Sequence, residues 1–153
     1  MKLTPSRLKL LFNLYPPYLG AGVRVDYLAD DWRSSQVRMQ LRWYNRNAVG
    51  THFGGSLYSM VDPHLMLMTM QLMGSNYYVW DKSASISFEK ATRKTVICRM
   101  QITDQDLAQI RAGTESGAKY LHQFDLQIVE EGSGELVCTV EKVIYVRKKP
   151  AAS

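Results

Sequence analysis

From Ser56 to Met73 the chain carries Leu57, Met60, Val61, Leu65, Met66, Leu67, Met68, Met70, Leu72 and Met73, which makes a helix apolar on every side rather than along one stripe. A surface helix cannot have that pattern, because its outward face would put large apolar side chains into water. The segment is therefore predicted to be the central helix of the fold, enclosed by whatever the rest of the chain supplies. Pro63 falls inside it and must either kink the helix or open its second part, since proline lacks the N–H donor and clashes with the preceding turn.

The enclosing material reads as strands. Val23, Val25 and Tyr27 alternate with Arg24 and Asp26, and Val37, Met39 and Leu41 alternate with Gln36, Arg38, Gln40 and Arg42, two half-buried strands joined through Asp30-Asp31. Beyond Gly74, Ala84, Ile86 and Phe88 alternate with Ser83, Ser85 and Ser87. Val96, Cys98, Met100 and Ile102 follow across a turn at Ala91 to Lys94, so these two runs read as a long antiparallel pair. Phe124, Leu126 and Ile128 alternate with Asp125 and Gln127, and Glu131-Gly132-Ser133-Gly134 turns the chain into Leu136 to Val146, whose parity slips near Lys142 as it would at a bulge. Thr4 or Ser6 caps an N-terminal helix carrying Leu8, Leu11, Phe12 and Leu14, which Pro16-Pro17 stops. Thr103-Asp104-Gln105-Asp106 resembles a capping box opening a short helix with Leu107 and Ile110, ended near Gly113.

The prediction is an α+β domain, an antiparallel sheet of about six strands wrapped around one long central apolar helix, with an N-terminal helix and a short helical insertion at Thr103 to Gly117. A chain of 153 residues with 46% apolar content suits one such domain. Its N-terminal helix and turn occupy residues 1–19, the core 20–147 and a basic tail 148–153.

Composition narrows the partners. A formal charge of +5 raises the local concentration of anions without choosing among them. The compact basic run Arg147-Lys148-Lys149 has no interleaved aromatics and reads as a solvated tail, so no nucleic acid is expected. No run of about 18 apolar residues offers a membrane span, and no signal segment is evident, which points to the cytoplasm. Cys98 and Cys138 both sit in apolar alternating runs and read as buried free thiols, not as a disulfide or metal cluster.

The stretch Asn47-Ala48-Val49-Gly50-Thr51-His52-Phe53-Gly54-Gly55, with Asp62 seven residues after the second glycine, is where function concentrates. It combines a glycine-permitted tight backbone, a helix start with free N–H donors and one carboxylate. On a continuous helix, seven steps of about 100° would return Asp62 beneath Gly55. Asn47, Gly50, Gly54, Gly55 and Asp62 match, in spacing, the pattern of the acyl-coenzyme A thioesterase branch of the hotdog-fold superfamily, which includes phenylacetate-type thioesterases. The order of elements agrees over residues 20–147. The wording Arg42-Trp43-Tyr44-Asn45-Arg46-Asn47 with Thr51-His52-Phe53-Gly54-Gly55 resembles an uncharacterised bacterial subgroup of that fold, DUF4442-like. Two departures stand out: the position before the glycine pair, usually His, is Phe53, with His52 one place early, and the Thr103 to Gly117 insertion exceeds a minimal hotdog hairpin.

The resemblance implies hydrolysis of an acyl thioester with Asp62 as base or nucleophile and Asn47 and Gly55 orienting water and carbonyl. His52, Phe53, Gly54, Ser83 and Ser85 would line the substrate. A strand Ser, Thr or Asp assists water in that branch, for which Asp81, Ser83 and Ser85 are the candidates. It implies a small-molecule acyl thioester as partner, coenzyme A as part of the substrate, no metal or redox cofactor, and a homodimer or dimer of dimers with its site between subunits. The chemistry is consistent with the residues, because thioester hydrolysis needs an activated water or a nucleophile and donors for the developing oxyanion.

Plainer readings stand beside each role. Asp62 before Pro63 is a favoured helix-start pair, the glycines can serve close packing alone, and Asn47 can satisfy a turn. The methionines are core filling, or an adaptable acyl groove. Other groupings are weaker: His52, Ser56 and Asp62 lack the G-x-S-x-G elbow of a serine hydrolase. Asp62 and His64 fall on different helix faces, against a shared metal, and His52 lacks the context of a hotdog dehydratase. His122 reads as a surface or interface residue. The non-catalytic alternative is an acyl-coenzyme A or fatty-acyl binding module.

Overall fold

A computed structural model describes residues 3–150, so the last part of the expected tail, residues 151–153, lies outside the described residues. Six antiparallel strands, β1 (Val23–Leu28), β2 (Ser34–Met39), β3 (Tyr77–Phe88), β4 (Val96–Gln101), β5 (Lys119–Glu130) and β6 (Leu136–Lys148), form one sheet in the order β1-β2-β4-β5-β6-β3. Its inner face presents Val25, Val37, Met39, Cys98, Met100, Ile128, Val140 and Ile144 to Met60, Val61, Leu65 and Met68 of the central helical segment, all buried in one core. Each such side chain contributes about 1.5–3 kcal/mol of burial, enough in sum to hold a segment that has no good surface face. The cover is incomplete, however: Met66, Leu67 and Leu72 are only partly buried and Met70 is 36% exposed.

The central segment is two helices, α3 (Gly54–Ser59) and α4 (His64–Met73), with Pro63 at the start of α4 and a cis Asp62–Pro63 peptide. The break corrects the continuous-helix geometry expected between Gly55 and Asp62. Pro63 has no N–H to continue α3, so the chain turns and delivers Asp62 from the turn.

Three pairing expectations are also corrected. β3 does not form a hairpin with β4; it pairs with β6, while β4 lies between β2 and β5. The alternation identifies a strand's faces but not its neighbours. The connection from Glu89 to Thr95 instead crosses the ends of β6 and β5. Glu89 and Lys90 donate backbone N–H groups to Val137 O, and buried Glu130 accepts from Thr92 Oγ1 and Lys94 Nζ. The parity of β6 does not slip: Cys138, Val140, Lys142, Ile144 and Val146 all point inward, Lys142 included. The irregularities lie elsewhere, between Ile128 and Val129, between Asp81 and Ser83, and between Val25 and Tyr27, the last burying Leu28 in place of Tyr27. Finally, Arg147 and Lys148 belong to β6, and Lys149 donates its N–H to Asn76 O and lies over the Tyr78 ring, so the basic run extends the sheet.

Thr4 caps α1 (Pro5–Leu14), whose Leu8 and Phe12 are buried while Leu11 and Leu14 are 58% and 63% exposed. Pro16-Pro17 ends α1 and at once opens α2 (Pro16–Ala21). Tyr18 of α2 is buried, its hydroxyl 2.6 Å from Asp62 O and 2.8 Å from His64 Nε2. A carbonyl oxygen only accepts, so the single hydroxyl hydrogen goes to Asp62 O and His64 Nε2 carries the hydrogen that Tyr18 accepts. Phe12 stacks on Tyr18 and against His64, completing a lock between the N-terminal helices and the α3–α4 break. The insertion forms α5 (Asp104–Thr114), opened by the expected Thr103/Asp106 capping box with Leu107 and Ile110 buried. His122 of β5 is not at the surface; it is buried with Nε2 2.9 Å from Asp106 Oδ1. Both cysteines are buried free thiols.

Burial lowers the His64 pKa from 6.5 to about 4. A folded value below the unfolded one means that the stability carried by neutral His64 is whole above pH 6.5 and drains as the pH falls towards 4, by about 3 kcal/mol in all. Thermal unfolding followed across that window should show a melting temperature that falls with pH, and His64→Gln should flatten the slope. Thr103→Ala should lower unfolding stability by about 1 kcal/mol in denaturant titrations with an unchanged slope m, because it removes the α5 cap without touching the core.

Candidate functional site

Four elements converge at the turn between α3 and α4. The turn supplies Asp62, α3 supplies Tyr58, the β3 irregularity supplies Asp81 and the centre of β6 supplies Lys142. Lys142 Nζ donates to Asp62 Oδ1 at 2.7 Å and to the Tyr58 hydroxyl at 3.2 Å. Asp81 Oδ1 lies 3.2 Å from the same nitrogen, an ion pair out of hydrogen-bond alignment. The Lys142 side chain is 1% exposed and that of Asp62 45% exposed, so the cation is interior and the carboxylate faces water. Burial works against the Lys142 charge, but the hydrogen bonds to Asp62 and Tyr58 and the fields of both aspartates outweigh it, and its pKa lies above the ordinary lysine value. Burial pushes the Asp81 carboxyl up, and the adjacent Asp62 charge adds to this against the pull of Lys142. Of the two carboxyls, Asp81 is thus held towards protonation by its surroundings.

A second group of residues gathers at the start of α3, around a cleft of about 440 Å³ lined by Asn47, His52, Gly54, Phe88, Thr92 and Val137 among others. The Asn47 amide donates to Thr51 Oγ1 and His52 O, and its oxygen accepts from the Val49 and Thr51 N–H groups. Its bonding capacity is spent on shaping the turn, and it makes no hydrogen bond to Asp62. His52 is buried with Nε2 2.8 Å from Lys94 O, which fixes the proton on Nε2 and leaves Nδ1 as an acceptor with no partner among the described residues. Burial lowers the His52 pKa, with the Lys94 carbonyl acting the other way. The two glycines have specific neighbours: a Cβ on Gly54 would come within 3.0 Å of the Phe88 ring, and one on Gly55 within 2.5 Å of the Phe53 ring. Phe53 is exposed and precedes α3 without capping it.

Ser83 and Ser85 do not join either group. They pair across to Val143 and Glu141, the outward neighbours of Lys142, and Ser85 Oγ donates to Glu141 Oε2. The extra residue at Lys82 is the reason: it brings Asp81 inward while leaving the serines on the outer face. Lys142 and Tyr58 are the members of the site that the sequence reading missed. The signal for Lys142 was present as a charge in an inward position of an apolar strand.

The arrangement can activate water or attack an acyl carbon. It offers a solvent-facing carboxylate with one oxygen held by a buried cation and the other unbonded among the described residues. The cleft and the Asp62 cluster lie at the two ends of α3, which spans about 9 Å.

Solved structures share this architecture across nearly the whole chain. A Pseudomonas aeruginosa protein of unknown function, described as a probable thioesterase, is 18% identical with a TM-score of 0.80, over 97% of this chain and 98% of that one. A Haemophilus influenzae thioesterase is 12% identical with a TM-score of 0.68, over 97% and 93% of the two chains. Mouse thioesterase superfamily member 2 is 13% identical with a TM-score of 0.65, over 95% and 98%. At these identities the likeness carries the fold, which is the hotdog fold. No curated protein matches the chain. The model of a family described as a domain of unknown function, DUF4442, matches residues 6–146, and the chain belongs to that family.

Proposed function

We propose that the protein hydrolyses acyl-coenzyme A thioesters, with Asp62 as base or nucleophile. The observation that carries this reading is the half-exposed Asp62 carboxylate fixed against buried Lys142 at the turn that follows the Gly54-Gly55 helix start. The solved thioesterases of the same fold support it. As base, the free Asp62 oxygen takes a proton while water attacks the thioester carbon; as nucleophile, it forms an acyl-enzyme anhydride that water then cleaves. In both routes the tetrahedral intermediate collapses by expelling the thiolate, which takes the proton held by Asp62 in the base route and a proton from solvent water in the nucleophile route. Because Gly55 and Asp62 lie at opposite ends of α3, the carbonyl oxygen meets the Gly55 amide of a second copy of the chain, the amide role that the family resemblance gives Gly55, and coenzyme A enters only as part of the substrate.

The partner in this reading is a second copy of the chain. β3 pairs on one side only, leaving a twelve-residue strand with an open edge, and the apolar back of α4 is partly uncovered. Edge pairing through β3 would give a dimer or a dimer of dimers. None of the described helices is long and apolar enough to cross a membrane, and the two free thiols suit a reducing compartment, so we place the enzyme in the cytoplasm. One observation favours a second reading, an acyl binding module: Asn47 is occupied within its own turn and is not aimed at Asp62.

Thiol release from a panel of acyl-coenzyme A esters should fall by about 10²–10⁴ in Asp62→Asn with the fold intact. Ligand binding by the unaltered protein without turnover on any ester would instead select the binding module. Sedimentation should return twice or four times the 17.5 kDa chain mass, whereas a monomer would remove the edge-paired dimer.

A further inference from the structure

Position 142 is the inward place on β6 where a charge stands among Cys138, Val140, Ile144 and Val146. An ammonium in such a place costs several kcal/mol unless its donors are satisfied, and an apolar residue of similar volume would pack there at no such cost. The Lys142 ammonium faces Asp62 from the α3–α4 turn, Tyr58 from α3 and Asp81 from β3. Around them stand neutral His64 of α4 and Tyr18 of α2, which bonds the Asp62 carbonyl, while β5 offers only Phe124 opposite Lys142. Asp62 and Tyr58 thus accept two of the ammonium's hydrogens, and Asp81 faces the charge as an ion pair, so the cation is enclosed by protein groups.

We propose that Lys142 is the positioning residue of this site: it grips Asp62 by Oδ1 and so turns the other carboxylate oxygen towards water or thioester. The proposal rests on the thioester-hydrolase reading for its kinetic consequences, but not for its structural one. Tyr18 fixes the Asp62 backbone and Lys142 fixes its side chain, so the reacting oxygen is held from both ends.

In Lys142→Met, kcat should fall about a hundredfold with little change in KM, because misplacement of the reacting group costs the transition state. The acid limb of kcat/KM should move up by about one pH unit or more. Lys142→Arg should return the limb towards its original position, since it keeps the charge, without restoring kcat, since a planar fork does not fit the ammonium's place. Lys142→Met/Asp81→Asn removes the stranded buried carboxylate and serves if the single variant fails to fold. The titration of the Asp62 carboxyl carbon by NMR is the readout that needs no turnover, and it should move up in either folded variant. An Asp62 titration that does not move would overturn the proposal, as would an acid limb indifferent to the charge at position 142. If the unaltered protein hydrolyses no ester, the hydrolase reading falls, and the Asp62 titration still decides whether Lys142 holds it.

Discussion

Pro63 has no N–H to give, and much of this molecule is arranged around that missing donor. It ends the run of helix that the apolar residues from Ser56 onward would otherwise continue, and it turns Asp62 out of the core towards water. What would be an exposed, poorly determined turn is fixed from two sides. α2 inserts Tyr18, which bonds the Asp62 carbonyl and, through His64, the first turn of α4. β6 inserts Lys142, which takes the Asp62 side chain. The N-terminal helices are therefore part of the site's construction.

The legible part of this chain was what periodicity controls. An all-round apolar segment demanded enclosure, the alternating runs named the inward residues of β2, β4 and β5 and of β1 as far as Val25, and the Thr103/Asp106 spacing gave α5 its cap. What periodicity does not encode is adjacency. Ala84 to Phe88 and Val96 to Ile102 have the right parity for a hairpin, yet the connection between them is anchored to Val137 and Glu130 and carries the chain to a different neighbour. Lys142 shows the opposite error. Its charge suggests a slipped pattern, yet the pattern is intact and the charge is buried. A residue that breaks a rule locally while its neighbours keep it is a functional signal, because the cost of burying it must be offset by something nearby.

The glycine motif was legible as spacing but not as geometry. Asn47, Gly54, Gly55 and Asp62 stand at the intervals that the family resemblance describes, and the structure divides them between a turn held by Asn47 and a carboxylate cluster at the far end of α3. Gly54 and Gly55 are explained by the rings of Phe88 and Phe53 that lie against them; the Phe88 contact comes from a distant strand and leaves no trace in local pattern. Within a single chain the two groups remain separate, and the open edge of β3 beside them is where a second copy would bring further residues near.

The crossing of the sheet by the chain also sets an order of events. Phe88 pairs with Cys138 and Tyr77 with Lys148, so β3 waits for the C-terminal strand before it has a strand to pair with. During synthesis the α3–α4 segment and β3 emerge long before β6. Lys142, the cation that Asp62 and Asp81 need, arrives with the last strand. Closure of the sheet and the pairing of both aspartates with their cation therefore fall in one late, long-range step, of the kind that makes folding slow. Until then the nascent chain carries an unpaired twelve-residue strand and two uncompensated aspartates, which discourage premature burial of the site.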